Sequence, residues 1–94
     1  MFYEKKLTSL ASLTTAAGTM DSDAGLRVVG RYGKRACYCF VTRFGGTFTV
    51  MIYRRSSRRR GPGRLMASLE STDIAQLRRL LREIAGERVR AYLY

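Results

Sequence analysis

The residues of this 94-residue chain that could do chemistry are aromatic and basic, and the usual catalytic types are sparse. There is no histidine, which removes the commonest general acid–base side chain. The seven carboxylates, Glu4, Asp21, Asp23, Glu70, Asp73, Glu83 and Glu87, are scattered without a paired arrangement. Cys37 and Cys39 sit at i and i+2 of one stretch, too constrained to pair comfortably and too few for a closed zinc site. They read as small buried hydrophobes, so no metal and no cofactor is expected. No phosphate-binding glycine loop, nucleophile elbow or dinucleotide fingerprint occurs. The pattern argues against an enzyme and against a small-molecule substrate.

What the chain offers instead is a surface for a polyanion. The formal net charge is +11 with a pI near 10.7, and fifteen of the eighteen basic residues are arginine. Arginine holds phosphate with a planar fork and stacks on bases, which favours nucleic acid over a membrane surface. Six arginines, Arg54, Arg55, Arg58, Arg59, Arg60 and Arg64, fall within eleven residues. By itself such a run is most often a solvated loop. Here it follows two strand-like stretches whose alternation places Tyr38, Phe40, Phe44 and Tyr53 on one face. Aromatic platforms beside cationic side chains are how single-stranded nucleic acid is held without strong sequence preference.

The elements that must position these residues read as an α+β domain. Leu26–Tyr32, Arg35–Phe44, Thr47–Arg54 and Leu65–Leu69 alternate as strands, joined at Gly33-Lys34, at Gly45-Gly46 and by the arginine loop, which gives an antiparallel four-stranded meander. One α-helix follows, opened by Ser71-Thr72-Asp73, carrying an apolar stripe of Ile74, Leu77, Leu80, Leu81 and Ile84, and stopped by Gly86. One helix covers one face of the sheet, on the parity of Cys37, Cys39, Val41, Phe48, Val50, Ile52, Ala67 and Leu69. The aromatic parity is left over. Residues 1–24 read as an N-terminal extension, in which leucines at 7, 10 and 13 suit a helical turn and the threonine content suits a strand or a tail. Residues 25–86 read as the binding domain and 87–94 as a basic-aromatic tail.

From about Arg35 to Ile84 the chain resembles the C-terminal domain of the transcriptional coactivator called positive cofactor four. The resemblance rests on Arg35-x-x-Tyr38-x-x-Val41-x-x-Phe44-x-Gly46, on Phe48-x-Val50-x-Ile52, and on Pro62-Gly63-Arg64 followed by Ser68-Leu69 and Gln76-Leu77. It implies a single-stranded DNA-binding homodimer whose helices pair through Ile74, Leu77, Leu81 and Ile84. It also implies that Phe44 stacks on a base, that Tyr38 shares that surface, and that Arg35 contacts phosphate. The family tends to carry basic residues at the first hairpin turn, where this chain has Gly45 and Thr47, and Tyr53 stands where a basic residue is usual. Phosphate contacts therefore shift to Arg43, Arg54, Arg55 and the run 58–60.

The resulting expectation is a non-catalytic, sequence-tolerant single-stranded DNA-binding protein, acting in transcription or in protection of exposed strands. Its site combines Arg35, Tyr38, Phe40, Arg43, Phe44, Tyr53, Arg54, Arg55, Arg58, Arg59, Arg60 and Arg64. Two competing readings are an RNA-binding protein and a protein-interaction module that uses the aromatic face as its contact. A chain of this length buries only about 60–65% of its unfolded surface, which agrees with a subunit partner. The N-terminus lacks the apolar core of a secretory signal, and no run approaches a membrane span. These features point to an intracellular protein, in cytoplasm and nucleoid or in a nucleus.

Overall fold

The computed structural model describes residues 4–55 and 62–94. The elements are β1 (Lys5–Ser9), α1 (Leu10–Thr19), β2 (Gly25–Tyr32), β3 (Arg35–Phe44), β4 (Thr47–Arg55), β5 (Pro62–Ser71), α2 (Ile74–Ala85) and β6 (Arg88–Leu93). All six strands join one antiparallel sheet in the order β1-β6-β2-β3-β4-β5. The expected class, α+β, is present, but the expected architecture is corrected: the sheet has six strands and carries two helices. The four-stranded meander is its β2–β5 portion, and α2 follows it. Residues 5–19 and 88–93, read from the sequence as an extension and a tail, supply β1, α1 and β6 to the same sheet and core.

Local chemistry accounts for the elements. The two tight hairpins turn at Gly33 and Gly45, whose φ angles of 63° and 59° are ones that side chains rarely adopt. Ser9 ends β1 and caps α1: its hydroxyl accepts from the Ser12 amide at 3.1 Å, and the Ser12 hydroxyl in turn accepts from the Ser9 amide. That reciprocal cap converts an extended chain at Leu7 into a helix at Leu10, so the leucine repeat at 7, 10 and 13 belongs to two elements. Asp73 caps α2 by accepting from the Ala75 amide at 2.9 Å, and Gly86 ends that helix.

Both helices lie on one face of the sheet. Leu10, Leu13 and Ala17 of α1 and Leu77, Leu81 and Ile84 of α2 join one core with Leu7, Leu26, Val28, Cys37, Cys39, Val41, Phe48, Val50, Ile52, Val89 and Ala91. Close approach of α2 to β2 depends on Gly30, where a Cβ would run into the Ile84 carbonyl and side chain. Leu77, Leu81 and Ile84, expected from the resemblance to pair with a second subunit, are at most 5% exposed and spent on the chain's own core. The stripe is wide because it serves both the sheet and α1, which packs against α2. Of the four, Ile74 alone is exposed, at 39%. Cys37 and Cys39 are free, buried thiols, as the sequence suggests. Burial pushes the Cys39 thiol up to about 12, with the neighbouring Cys37 adding to the shift.

Candidate nucleic-acid interface

With both helices on the core face, no described helix or strand lies over the opposite face of the sheet. Strand register arranges its side chains in two cross-strand rows. One row runs Lys6, Tyr92, Arg27, Phe40, Met51, Ser68 across β1, β6, β2, β3, β4 and β5. The next runs Arg90, Val29, Tyr38, Tyr53, Leu65. The rows are two residues apart along β6, β2, β3 and β4, about 6.6 Å, and three apart along β5, where the register shifts. Tyr38, Phe40, Met51, Tyr53 and Tyr92 are all half-buried.

The face divides into two chemical halves. Over β3 and β4 it is aromatic, with the Phe40 and Tyr53 rings packed edge to face at 5.6 Å between centroids. Over β6 and β2 it is basic, with Arg27 and Arg90 beside Tyr92. The Arg27 guanidinium lies 4.7 Å from the centre of the Tyr92 ring and also pairs with Glu4 at 3.2 Å. Arg55 reaches over the Tyr38 ring at 5.9 Å. Such a face can stack planar rings on one half and hold anions on the other.

The structure brings together only part of the set expected from the sequence. Tyr38, Phe40, Tyr53 and Arg55 share the open face. Phe44 has the same parity but stands at the tip of the β3–β4 hairpin, 84% exposed. Arg43 has the other parity: its guanidinium donates to the Gly18 carbonyl at 2.6 Å and to the Gly45 carbonyl at 3.1 Å. It satisfies the carbonyl end of α1 and lies 5.7 Å from the Phe48 ring centre, away from the aromatic face. Arg35, Arg54 and Arg64 meet in a separate pocket with Leu65 and Met66. Arg35 and Arg54 carry the parity of Cys37, which pairs with Arg54, and so project on the helix-bearing side. Arg58, Arg59 and Arg60 lie outside the described residues.

Lys6, Arg27, Arg90 and Tyr92 are the face residues that sequence reasoning missed. The signal was present as alternation in Arg27-Val-Val-Gly-Arg31, where Arg27 and Arg31 share the parity opposite to buried Val28, and in Arg88-Val-Arg-Ala-Tyr-Leu93, where Arg88, Arg90 and Tyr92 alternate with buried Val89 and Ala91. Among the described residues no group of histidine, cysteine or carboxylate side chains could hold a metal ion, and no helix is long and apolar enough to cross a membrane. Set against known protein families, curated proteins and solved structures, the chain matches none of them.

Proposed function

We propose that this protein binds single-stranded DNA without catalysis, stacking bases on Tyr38, Phe40 and Tyr53 and holding phosphates with Arg27, Arg90 and Arg55. The observation that carries this reading is the bare sheet face, on which half-buried aromatic rings adjoin arginines in register across the sheet. A sheet face of this size is ordinarily covered or polar. An aromatic and basic one suits a ligand that presents a π-face and a negative charge at each repeat. The net charge of +11 supports the same class of partner. Transcription, or protection of exposed strands, is the setting in which such a sequence-tolerant module acts, in keeping with the resemblance to positive cofactor four.

The test is binding to a labelled single-stranded oligonucleotide over a range of salt, with duplex DNA and RNA of equal sequence as competitors. Single-stranded DNA should bind with a salt slope of about 0.7 per phosphate contact and outcompete both. Preference for RNA would move the reading to an RNA-binding protein, and salt-independent or absent binding would leave the face to a protein contact. Homodimerisation is part of the proposal. With Leu77, Leu81 and Ile84 buried, Ile74 is the one residue of the expected interface left exposed to a second copy. A monomeric mass in sedimentation at micromolar concentration would remove that part.

A further inference from the structure

The arginines that the fold takes away from the aromatic face form a site of their own. Arg35 of β3, Arg54 of β4 and Arg64 of β5 line a pocket of about 370 Å³, completed by Leu65 and Met66. No carboxylate lines it, and none of the three arginines makes an ion pair among the described residues. Three like charges line it with no described carboxylate beside them, so an anion would relieve their repulsion. Leu65 connects the pocket with the open face, because it is also the last member of the row Arg90, Val29, Tyr38, Tyr53, Leu65. The pocket thus begins where that row ends, at the free edge of the sheet.

We propose that this pocket binds a phosphate monoester, the terminal phosphate of a strand lying on the open face. The choice of monoester follows from the chemistry of the donors. An internal phosphodiester carries one charge and exposes two non-bridging oxygens. A terminal monoester carries a charge of about −1.5 to −2 and exposes three. Three guanidinium forks, each able to donate two parallel hydrogen bonds, match the second better than the first. The position matches as well: Leu65 both pairs with Tyr53 and lines the pocket, so a strand whose end base rests on Tyr53 has its terminus beside the side chain that joins the open face to the pocket. The pocket then measures where a strand stops, and confers a preference for ends that the stacking face lacks.

The phosphate's source, though not the pocket's chemistry, rests on the proposed single-strand reading, and the experiment separates the two. Oligonucleotides of one sequence, bearing a 5′-phosphate, a 3′-phosphate or neither, are titrated into the wild-type protein and into the double variant Arg35→Ala/Arg64→Ala, whose melting temperature is measured alongside. Phosphate at one end should tighten wild-type binding about tenfold, the worth of a further charge-assisted contact. In the double variant that gain should vanish, while the unphosphorylated strand binds within about twofold of wild type. If the unphosphorylated strand binds and neither terminal phosphate changes its affinity, the proposal is overturned and the single-strand reading stands. If no strand binds at all, the single-strand reading falls. Titration with inorganic phosphate, followed through the arginine Nε–H resonances, then decides the pocket. Shifts at Arg35, Arg54 and Arg64 would keep it as a site for free phosphate, and their absence would overturn it.

Discussion

Arg27 and Tyr92, sixty-five residues apart in the chain, meet on the open face with the guanidinium 4.7 Å from the ring centre. They meet because β6 inserts between β1 and β2, so that the last strand of the chain lies beside the first strand of the meander. The same guanidinium is held by Glu4 at 3.2 Å, which places a carboxylate against one of the arginines best positioned to take a phosphate.

Replacing that carboxylate should therefore strengthen binding. Glu4→Gln is expected to raise affinity for single-stranded DNA by up to about fivefold, since an exposed ion pair is worth about 0.2–1 kcal/mol. The salt slope should stay nearly the same, because Arg27 holds the same phosphate in both proteins. The melting temperature should hardly change. Anisotropy titrations at three or four salt concentrations check both, and an unchanged affinity would show that Arg27 contacts no phosphate.

Phe44 and Phe40 should separate binding from folding. Phe44 is 84% exposed, so Phe44→Ala should melt like the wild type and lose about 1–3 kcal/mol of binding if the ring stacks on a base. Phe40 is half-buried and packs edge to face on Tyr53, so Phe40→Ala should weaken binding and lower the melting temperature together. Normal binding by both variants would remove the stacking role.

Arg43 should behave as a structural residue. Its bond to the Gly18 carbonyl ties β3 to the end of α1, and Arg43→Ala should cost about 1 kcal/mol of stability. Affinity and salt slope should be unchanged. A flattened slope in this variant would return Arg43 to the phosphate contacts expected from the sequence.

Gly30 should tolerate no side chain. In Gly30→Ala the new methyl group meets the Ile84 backbone, which cannot yield without displacing α2, and the cost should be about 1–3 kcal/mol. For a domain of this size the melting temperature should fall by at least about 4 °C. Calorimetry checks it, and a melting temperature equal to the wild type would mean that α2 sits farther from β2.

Alkaline pH should destabilise the fold through Cys39. The unfolded thiol ionises near its ordinary value of 9.0, whereas the buried thiol keeps its proton up to about 12. Above pH 9 the folded state therefore binds more protons than the unfolded one, and stability falls as pH rises through that window. Below pH 9 the thiol should contribute no pH dependence. Denaturant midpoints should decline less steeply between pH 9 and 11 in Cys39→Ala than in the wild type, and equal slopes would refute the assignment.

What could be read from the residues alone is what neighbouring residues decide among themselves. Alternation and glycine turns delimit β2, β3 and β4 because strand parity and hairpin geometry are local properties. The stripe from Ile74 to Ile84, with Asp73 before it and Gly86 after it, marks α2 for the same reason. The burial of Cys37, Cys39, Val41, Phe48, Val50 and Ile52 and the openness of the Tyr38 and Phe40 parity follow from that alternation. Long-range pairing lay beyond it. Nothing near Arg88–Leu93 says that this segment pairs with both Lys5–Ser9 and Leu26–Val29, or that α1 takes up part of the α2 stripe. Only those contacts set Arg27 against Tyr92 and tie Arg43 to a carbonyl twenty-five residues away. Charge and aromatic content, the basis of the proposed polyanionic partner, are properties of composition and need no fold. The face on which each charge falls depends on register and on two irregularities where β4 pairs with β5, and those are decided by packing across the whole sheet.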